Sequence, residues 1–360
     1  MRHTHGRVVD VTTLDELDTR LAAGTRSLAG WRVTGVDLTD RSAALAAVDV
    51  GESLFLGCTF APGAEEGVRR RGAVVVPQLP GVPLDTHRSA LYAPRDLYDT
   101  PDYGSSLDAR AYAWSQQPPD QDDALAAALH DHSIDLALAS WRAGRSILGV
   151  MGGHALARGS DGYAEAARLG HALGTRVTVA TGGGPGAMEA ANLGAFLSAS
   201  PTSVLDSALG SLAGVPSFTP DIESWVGAAF EVIERHGPGV ESLGIPTWHY
   251  GHEPPNPFAT SIAKYLRNAT REAILLEVCN AGIVFLPGAG GTVQEIFQDA
   301  CENYYADESS LAPMVLVGVE HWTRTLPAWP LLTALAAGRA MEPHIHLVDT
   351  VDEAVALLAS

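Results

Sequence analysis

The residues best suited to chemistry lie in one short stretch, GIVFLPGAGGTVQEIF, at positions 282–297. The loop inside it contains three glycines, Gly288, Gly290 and Gly291. A loop with so few Cβ atoms can turn sharply and bring backbone N–H groups close to a ligand. A carboxylate, Glu295, follows four residues after the last of these glycines. Glycine backbone and a neighbouring carboxylate together indicate a site that binds an anion and acts on it.

The elements around this loop fix what kind of anion site it is. Residues 283–286 form an apolar, β-branched and aromatic run without alternation, which predicts a buried strand that Pro287 ends. A helix with an apolar face is predicted to begin at Thr292. A strand, a glycine loop and a helix N-terminus in this order most often bind phosphate. Thr292 and Glu295 also have the spacing of a capping box, in which both side chains would only cap the helix. The spacing leaves both interpretations open.

Two further glycine clusters follow predicted strands upstream. One is TGGGPGAM at positions 181–188, and the other is the glycine pair after the strand at 146–151. Four glycines before a helix suit a phosphate or a ribose lying on the backbone, whereas a simple tight turn needs only one or two. The pattern is not GxGxxG and no ribose-binding acid is evident, so a dinucleotide is not favoured. The residues expected to contact a ligand in these clusters are Gly152, Gly153, Gly183, Gly184, Gly186 and Met188.

A third element is a predicted helix over 260–279, directly before the strand at 283–286. Lys264, Arg267 and Arg271 are three and four residues apart, so they would project from one face of that helix. A basic stripe is usually a solvated surface. In a chain with a net charge of −19 and a single lysine, this stripe is also a candidate partner for an anion.

The order of elements predicts the architecture. From residue 146 onward, strands alternate with helices of 10 to 15 residues, which predicts an α/β fold with a doubly wound parallel sheet, Rossmann-like. Residues 1–95 predict a smaller N-terminal α/β unit, residues 96–122 a linker rich in Pro, Asp, Ser and Tyr, and residues 123–360 the nucleotide-binding domain. Residues 200–258 interrupt the regular alternation, and no internal repeat is evident.

Composition excludes several classes of function. No run of about 18 apolar residues is present, and the N-terminus has no apolar segment typical of a secretory signal. Three widely spaced cysteines favour reduced thiols and a cytoplasmic protein. The charge of −19 argues against binding to nucleic acid or an anionic membrane. Two histidine pairs, His3 with His5 and His249 with His252, lack a third ligand, so no metal site is predicted.

From residue 147 onward the chain resembles the LOG (lonely guy) family of nucleoside 5′-monophosphate phosphoribohydrolases, which are often mislabelled lysine decarboxylases. The family pattern GGGxxGxM is similar to residues 182–188, and PGGxGTxxE is similar to residues 287–295. The similarity covers about residues 147–199 and 260–360. The chain departs from the second pattern at Ala289, where the family has glycine. Its length is closer to that of bacterial nucleotide nucleosidases that add domains to this core.

The resemblance implies a function and roles for particular residues. It implies hydrolysis of a nucleoside 5′-monophosphate to a free base and ribose 5-phosphate, without a metal or organic cofactor, by a homodimer or higher homo-oligomer. The family's catalytic arginine and glutamate fall on Arg271 and Glu295, and its phosphate contacts fall on Gly288, Gly290, Gly291 and Thr292. Two alternatives stay open: a non-catalytic nucleotide sensor or carrier on the same fold, and a pyridoxal-phosphate decarboxylase. The second is disfavoured, since only Lys264 could form the required aldimine.

Overall fold

The computed structural model describes residues 8–249 and 253–358 and divides the chain into two compact units. The first unit is Met1–Leu91 with Gln117–Trp141, and the second is Tyr92–Gln116 with Arg142–Ser360. These boundaries differ from the predicted 1–95, 96–122 and 123–360. Most of the predicted linker belongs to the second unit, because Tyr92 pairs with Ile262 through backbone hydrogen bonds and Asp108 is buried. A composition typical of a linker therefore conceals a packed segment.

The first unit is an α/β unit, as predicted, with short strands and helices in alternation. Its elements are β1 (Val9–Val11), α1 (Leu14–Ala22), β2 (Trp31–Thr34), β3 (Asp37–Leu38), α2 (Ser42–Ala46), β4 (Leu54–Leu56), β5 (Thr59–Phe60), α3 (Ala64–Arg70) and β6 (Val74–Val76). Four of the strands form a parallel sheet in the order β1-β2-β4-β6, and β3 pairs with β5 beside it.

This first unit contains a structural repeat, so the expectation of no internal repeat is wrong. The sheet register pairs Val11 with Val33, then Val33 with Phe55, then Phe55 with Val75, and each step spans 20 or 22 residues. All four side chains are buried, which makes one apolar ladder through the core. Stacked coils of this length are typical of solenoids. The coils share apolar positions and not identical residues, and for that reason the sequence did not reveal them.

The remaining elements follow from residue 94 onward. They are α4 (Pro94–Leu97), α5 (Leu107–Ser115), α6 (Gln121–Arg142), β7 (Ile147–Met151), α7 (Asp161–Leu173), β8 (Thr178–Thr181), α8 (Ala187–Phe196), α9 (Thr202–Leu212), α10 (Ile222–His236), β9 (Ser242–Gly244), β10 (Ser261–Ile262), α11 (Asn268–Glu277), β11 (Ile283–Phe285), α12 (Gly290–Tyr305), β12 (Met314–Val317), α13 (Ala328–Ala336), β13 (Ile345–Val348) and α14 (Val351–Leu358). None of the helices in the described part of the chain is long and apolar enough to cross a membrane.

The second unit contains the predicted doubly wound sheet, which is confirmed. Seven parallel strands run in the order β10-β9-β8-β7-β11-β12-β13. The chain adds strands outward from β7 in one direction and from β11 in the other, so the direction of winding changes between β7 and β11. Ligands of such sheets bind beyond the carboxyl ends of the strands at this point. The loops that follow these two strands are the glycine pair at 152–153 and the glycine loop at 288–291.

Helices α7 and α8 pack closely against each other, and two glycines make this possible. A Cβ atom at Gly170 would lie 2.1 Å from the backbone oxygen of Ala191, and one at Gly194 would lie 1.9 Å from that of Ala167. Any larger residue would push the helices apart. The close packing fixes α8, and therefore also the glycine turn from which α8 begins.

The predicted helix over 260–279 is wrong in its first half. Ser261 and Ile262 form the edge strand β10, paired with β9, and α11 begins only at Asn268. Lys264 is buried in the extended segment between them, and Arg267 precedes the first residue of α11. Of the three basic residues, only Arg271 lies on the helix. The proposed cationic helix face therefore does not exist.

Candidate functional site

The second unit has a cleft of about 730 Å³ at the carboxyl edge of its sheet. It lies at the change in winding direction between β7 and β11, and the loops after β7, β8, β9 and β11 all contribute to it. Ten of the twelve predicted site residues line this cleft. They are Gly152, Gly153, Gly184, Met188, Arg271, Gly288, Gly290, Gly291, Thr292 and Glu295.

Helix α12 directs its N-terminus into the cleft without a side-chain cap. It begins at Gly290, and the preceding residue, Ala289, has no side chain that could accept from the first N–H groups. Thr292 and Glu295 lie inside the helix and make no capping hydrogen bond, so the capping-box interpretation is wrong. The first backbone N–H groups of a helix have no partner within the helix and carry a partial positive charge. This end of α12 is therefore suited to bind an anion.

The glycine loop before α12 is held in one conformation by its neighbours. Nε2 of His321 lies 3.0 Å from the carbonyl oxygen of Gly288, and since a carbonyl only accepts, Nε2 carries the proton. A Cβ atom at Gly288 would lie 2.1 Å from Oγ1 of Thr292, so this position accepts only glycine. No heavy atom lies within 4 Å of the corresponding point at Gly290 or Gly291. That open space faces the cleft.

Glu295 is the titratable group whose ionisation is most altered at the site. The pKa of its carboxyl is raised to about 7: burial raises it most, the guanidinium of Arg271 lowers it, and the nearby Glu272 raises it. No described residue donates a hydrogen bond to this carboxylate. A carboxyl group with a pKa near 7 can accept and donate protons at neutral pH, as general acid–base catalysis requires.

Arg271 holds the opposite wall of the cleft together. Its side chain is 9% exposed, Nε donates to the carbonyl of Ile245 at 2.6 Å, and Nη2 donates to that of Gly182 at 3.1 Å. These carbonyls follow β9 and β8, so the guanidinium joins two strand ends to α11. A Cβ atom at Gly182 would lie 2.2 Å from Nη2 of Arg271, so only glycine at this position leaves room for the guanidinium.

Two predicted contact residues, Gly183 and Gly186, do not line the cleft. Both have positive φ, +72° and +71°, which favours glycine. At Gly183 a Cβ atom would lie 2.6 Å from the ring of Pro246, and at Gly186 it would lie 2.5 Å from the carbonyl oxygen of Gly153. They shape the turn after β8, and Gly182 and Gly184 present its backbone to the cleft.

Several lining residues have no signal in the sequence. Thr247 and Glu253 lie in irregular segments and His321 begins a short π-helix, His321–Thr325, without a motif spacing that would mark any of them. Glu272 also lines the cleft, and its two oxygens accept from the side-chain amides of Asn268 at 2.6 Å and Gln294 at 2.7 Å. The described residues of the lining thus include three carboxylates and one guanidinium.

Of the four histidines in the two pairs of the sequence, the structure describes only His249. His249 is exposed and does not line the cleft. His3, His5 and His252 lie outside the described residues. Within the described ranges, no group of three or more His, Cys, Asp or Glu side chains is arranged to hold a metal ion.

No protein-family model matches the chain, and no curated protein matches its sequence. Parts of three solved structures are similar to it. A molybdenum cofactor binding protein from the phototrophic bacterium Rippkaea orientalis is 14% identical over 60% of this chain and 97% of that chain, with a TM-score of 0.38. The molybdenum cofactor carrier protein from Chlamydomonas reinhardtii is 18% identical over 60% and 96%, with a TM-score of 0.36. The structural-genomics protein TM1055 is 17% identical over 59% and 98%, with a TM-score of 0.35. At these values the likeness supports no conclusion about ligand or activity.

Proposed function

We propose that the second unit hydrolyses the N-glycosidic bond of a nucleoside 5′-monophosphate, giving a free base and ribose 5-phosphate. The observation that carries the proposal is the position of Glu295. Its carboxyl, with a pKa raised to about 7, opens into the same cleft as an uncapped helix N-terminus. Phosphate binding and proton transfer are the two requirements of this reaction, and one cleft has a group for each.

In this proposal the phosphate lies on the N-terminus of α12. The backbone N–H groups from Gly290 to Thr292 are the donors, and the open space at Gly290 and Gly291 allows the phosphate oxygens to approach. Helix dipoles place roughly half a positive charge at such an end. The arrangement needs no lysine, in keeping with the burial of Lys264 away from the cleft.

The ribosyl group then lies beside Glu295 and Arg271. A water oxygen attacks the anomeric carbon as the carbon–nitrogen bond breaks, and the bonding electron pair leaves with the base. Glu295 accepts the proton of the attacking water, and its negative charge stabilises the positive ribosyl group of the transition state. The proton that Glu295 has accepted then passes, directly or through water, to the departing base, which leaves neutral, and Glu295 is ionised again. Arg271 keeps Glu295 partly ionised and holds the ribosyl end of the substrate.

Incubation with a panel of nucleoside 5′-monophosphates tests the proposal. We expect a free base and an equal amount of ribose 5-phosphate, separated by chromatography, and loss of both products with Glu295→Gln. Binding of a monophosphate without turnover would instead indicate a sensor or carrier. Matching nucleosides without phosphate are the control, and their equal cleavage would refute the role of α12.

A further inference from the structure

The cleft has one wall that the proposed chemistry does not use, formed by the segment between β9 and β10. This segment contributes Pro246, Thr247 and Glu253 to the lining. It belongs to the stretch 200–258 that interrupts the regular alternation in the sequence. Its role in the cleft depends on how firmly it is held.

Asn256 fixes one end of this wall. Its side chain is fully buried, its backbone N–H donates to the carbonyl of Gly183 at 2.8 Å, and Nδ2 donates to that of Gly184 at 3.2 Å. Pro254 and Pro255 precede it and restrict the backbone directly after Glu253. The hydroxyl of Tyr98 also donates to the carbonyl of Pro255.

A buried charged cluster fixes the other end. Nε1 of Trp248 donates to Oδ1 of Asp108 at 2.8 Å, and Nζ of Lys264 donates to the same oxygen at 2.5 Å. The hydroxyl of Tyr103 donates to Oδ2 of Asp108 at 2.8 Å. Trp248 directly follows Thr247, so this cluster holds the wall immediately beside the cleft. The only lysine of the chain therefore has a structural partner.

The strand order places this wall at the base end of a bound nucleotide. An oxygen of Glu253 lies 3.6 Å from the point where a Cβ of Gly184 would be, after β8, whereas the glycine loop follows β11. Two strand spacings separate β8 from β11, a distance of roughly 10 Å. Glu295 lies on α12, after β11, and Nη2 of Arg271 donates to the carbonyl of Gly182, after β8. With phosphate on α12 and the anomeric carbon at Glu295, the base extends toward Glu253.

The surroundings of Glu253 suit a flat, partly polar ring. Met188 and Pro246 supply apolar side chains to the lining beside the turn after β8. An ionised carboxylate accepts hydrogen bonds and donates none. No described residue donates a hydrogen bond to Glu253, so its oxygens are available to a ligand in the cleft.

We propose that Glu253 is the specificity residue and selects a base with two adjacent N–H donors, as on the ring nitrogen and amino group of guanine. This inference rests on the proposed nucleotide site. Adenine has a ring nitrogen with a lone pair beside its amino group, and this lone pair repels the oxygens of a carboxylate. Hypoxanthine, with a single ring N–H, is intermediate.

The test compares guanosine and adenosine 5′-monophosphates with wild type, Glu253→Gln and the exposed control Glu165→Gln. A glutamine side chain presents one donor and one acceptor, which match the amino group and ring nitrogen of adenine but not the two adjacent donors of guanine. We expect the ratio of kcat/KM for guanosine over adenosine monophosphate to fall roughly 10- to 100-fold in Glu253→Gln and to stay unchanged in Glu165→Gln. Glu253→Ala, a second variant, should lose the guanine preference without gaining one for adenine.

Binding measurements separate this inference from the proposed reaction. Dissociation constants for both monophosphates are measured in a Glu295→Gln background, with and without Glu253→Gln. A guanine preference that disappears with Glu253→Gln supports base reading even where no turnover occurs. Turnover with a ratio unchanged by both Glu253 variants would overturn the inference and leave the hydrolysis proposal standing. Failure to bind or cleave either monophosphate would overturn both.

Discussion

Replacing Glu295 by glutamine should remove catalysis and stabilise the protein at alkaline pH. Glutamine keeps the shape of the side chain but cannot ionise, so it carries none of the cost of a charge in the partly buried wall of the cleft. We expect base release to fall by roughly 10²-fold or more, as for the loss of a general acid–base group. Fold and nucleotide binding should be retained.

The size of the stabilisation follows from the pKa. A rise from 4.5 to about 7 corresponds to ~3 kcal/mol at 1.36 kcal/mol per pKa unit. Water in the cleft screens part of this cost, so we expect ~1–2 kcal/mol. Because the folded state binds the proton more tightly than the unfolded state, the wild type loses this stability as pH rises from about 4.5 to about 7. Glu295→Gln should therefore equal the wild type below pH ~4.5 and exceed it above pH ~7.

Thermal unfolding of both proteins at pH 4 and pH 8.5 measures the difference. The expected gain in Tm at pH 8.5 is roughly 2–8 °C for a unit of this size. Asp299, whose pKa burial raises to about 8, also makes stability fall with pH, but it is common to both proteins and cancels in the difference. Glu165→Gln, at an exposed position, should show no such gain.

The pH dependence of turnover gives a second measurement on the same residue. With Glu295 acting as a base, kcat/KM should rise about tenfold per pH unit below 7 and level off above it. A variant that is no more stable than the wild type at pH 8.5, with normal turnover, would show that Glu295 is an ordinary solvated residue. The proposed mechanism would then be wrong.

Four further predictions concern the glycine loop, Arg271, Lys264 and the oligomeric state. Gly291→Ala should keep the fold, because its methyl group meets no protein atom, but it should weaken monophosphate binding, because the methyl group occupies space that the phosphate needs. Gly288→Ala should instead lower the Tm, because its methyl group collides with Thr292. Arg271→Ala should lower the free energy of unfolding by ~2–5 kcal/mol, since two buried carbonyls lose their donors. It should weaken monophosphates and matching nucleosides alike, because both have the ribosyl end that Arg271 holds; unchanged binding of both by the folded variant would make Arg271 purely structural. Lys264 should form no aldimine with pyridoxal phosphate, because Nζ is buried against Asp108. Incubation with pyridoxal phosphate should therefore give no aldimine absorbance, and the protein should release no carbon dioxide from lysine. The chain should form a homodimer or higher homo-oligomer, and a monomeric mass by light scattering at micromolar concentration would refute this.

The sequence was informative wherever the signal was local. Apolar runs ending in glycine located β7, β8 and β11, and parallel strands necessarily bring their carboxyl ends to one edge. The convergence of Gly152, Arg271 and Glu295 on one cleft follows from that rule. The glycine-rich turns after these strands were also predictable. The sequence could not show that Gly184 lines the cleft whereas Gly183 and Gly186 only permit the turn.

The sequence failed where distant contacts override local preference. Residues 260–267 have a helical composition, yet pairing with β9 makes Ser261 and Ile262 an edge strand. The partner of Lys264 is Asp108, 156 residues earlier, and no spacing rule could connect them. Glu253 reaches the cleft because Asn256 binds the turn after β8, which is again a contact between distant segments. The capping box failed for a different reason: α12 begins two residues before Thr292.

The charges of the cleft fit the proposed reaction better than they fit simple binding of an anion. Among the described lining residues, the carboxylates of Glu253, Glu272 and Glu295 outnumber the guanidinium of Arg271, and the chain as a whole carries a charge of −19. The excess of negative charge repels an approaching phosphate dianion, which the short-range dipoles of the glycine loop attract. The same carboxylates stabilise the positive charge that develops on the ribosyl group as the base departs. Their effect is therefore unfavourable in the ground state and favourable in the transition state, and interactions of this kind raise kcat without tightening substrate binding.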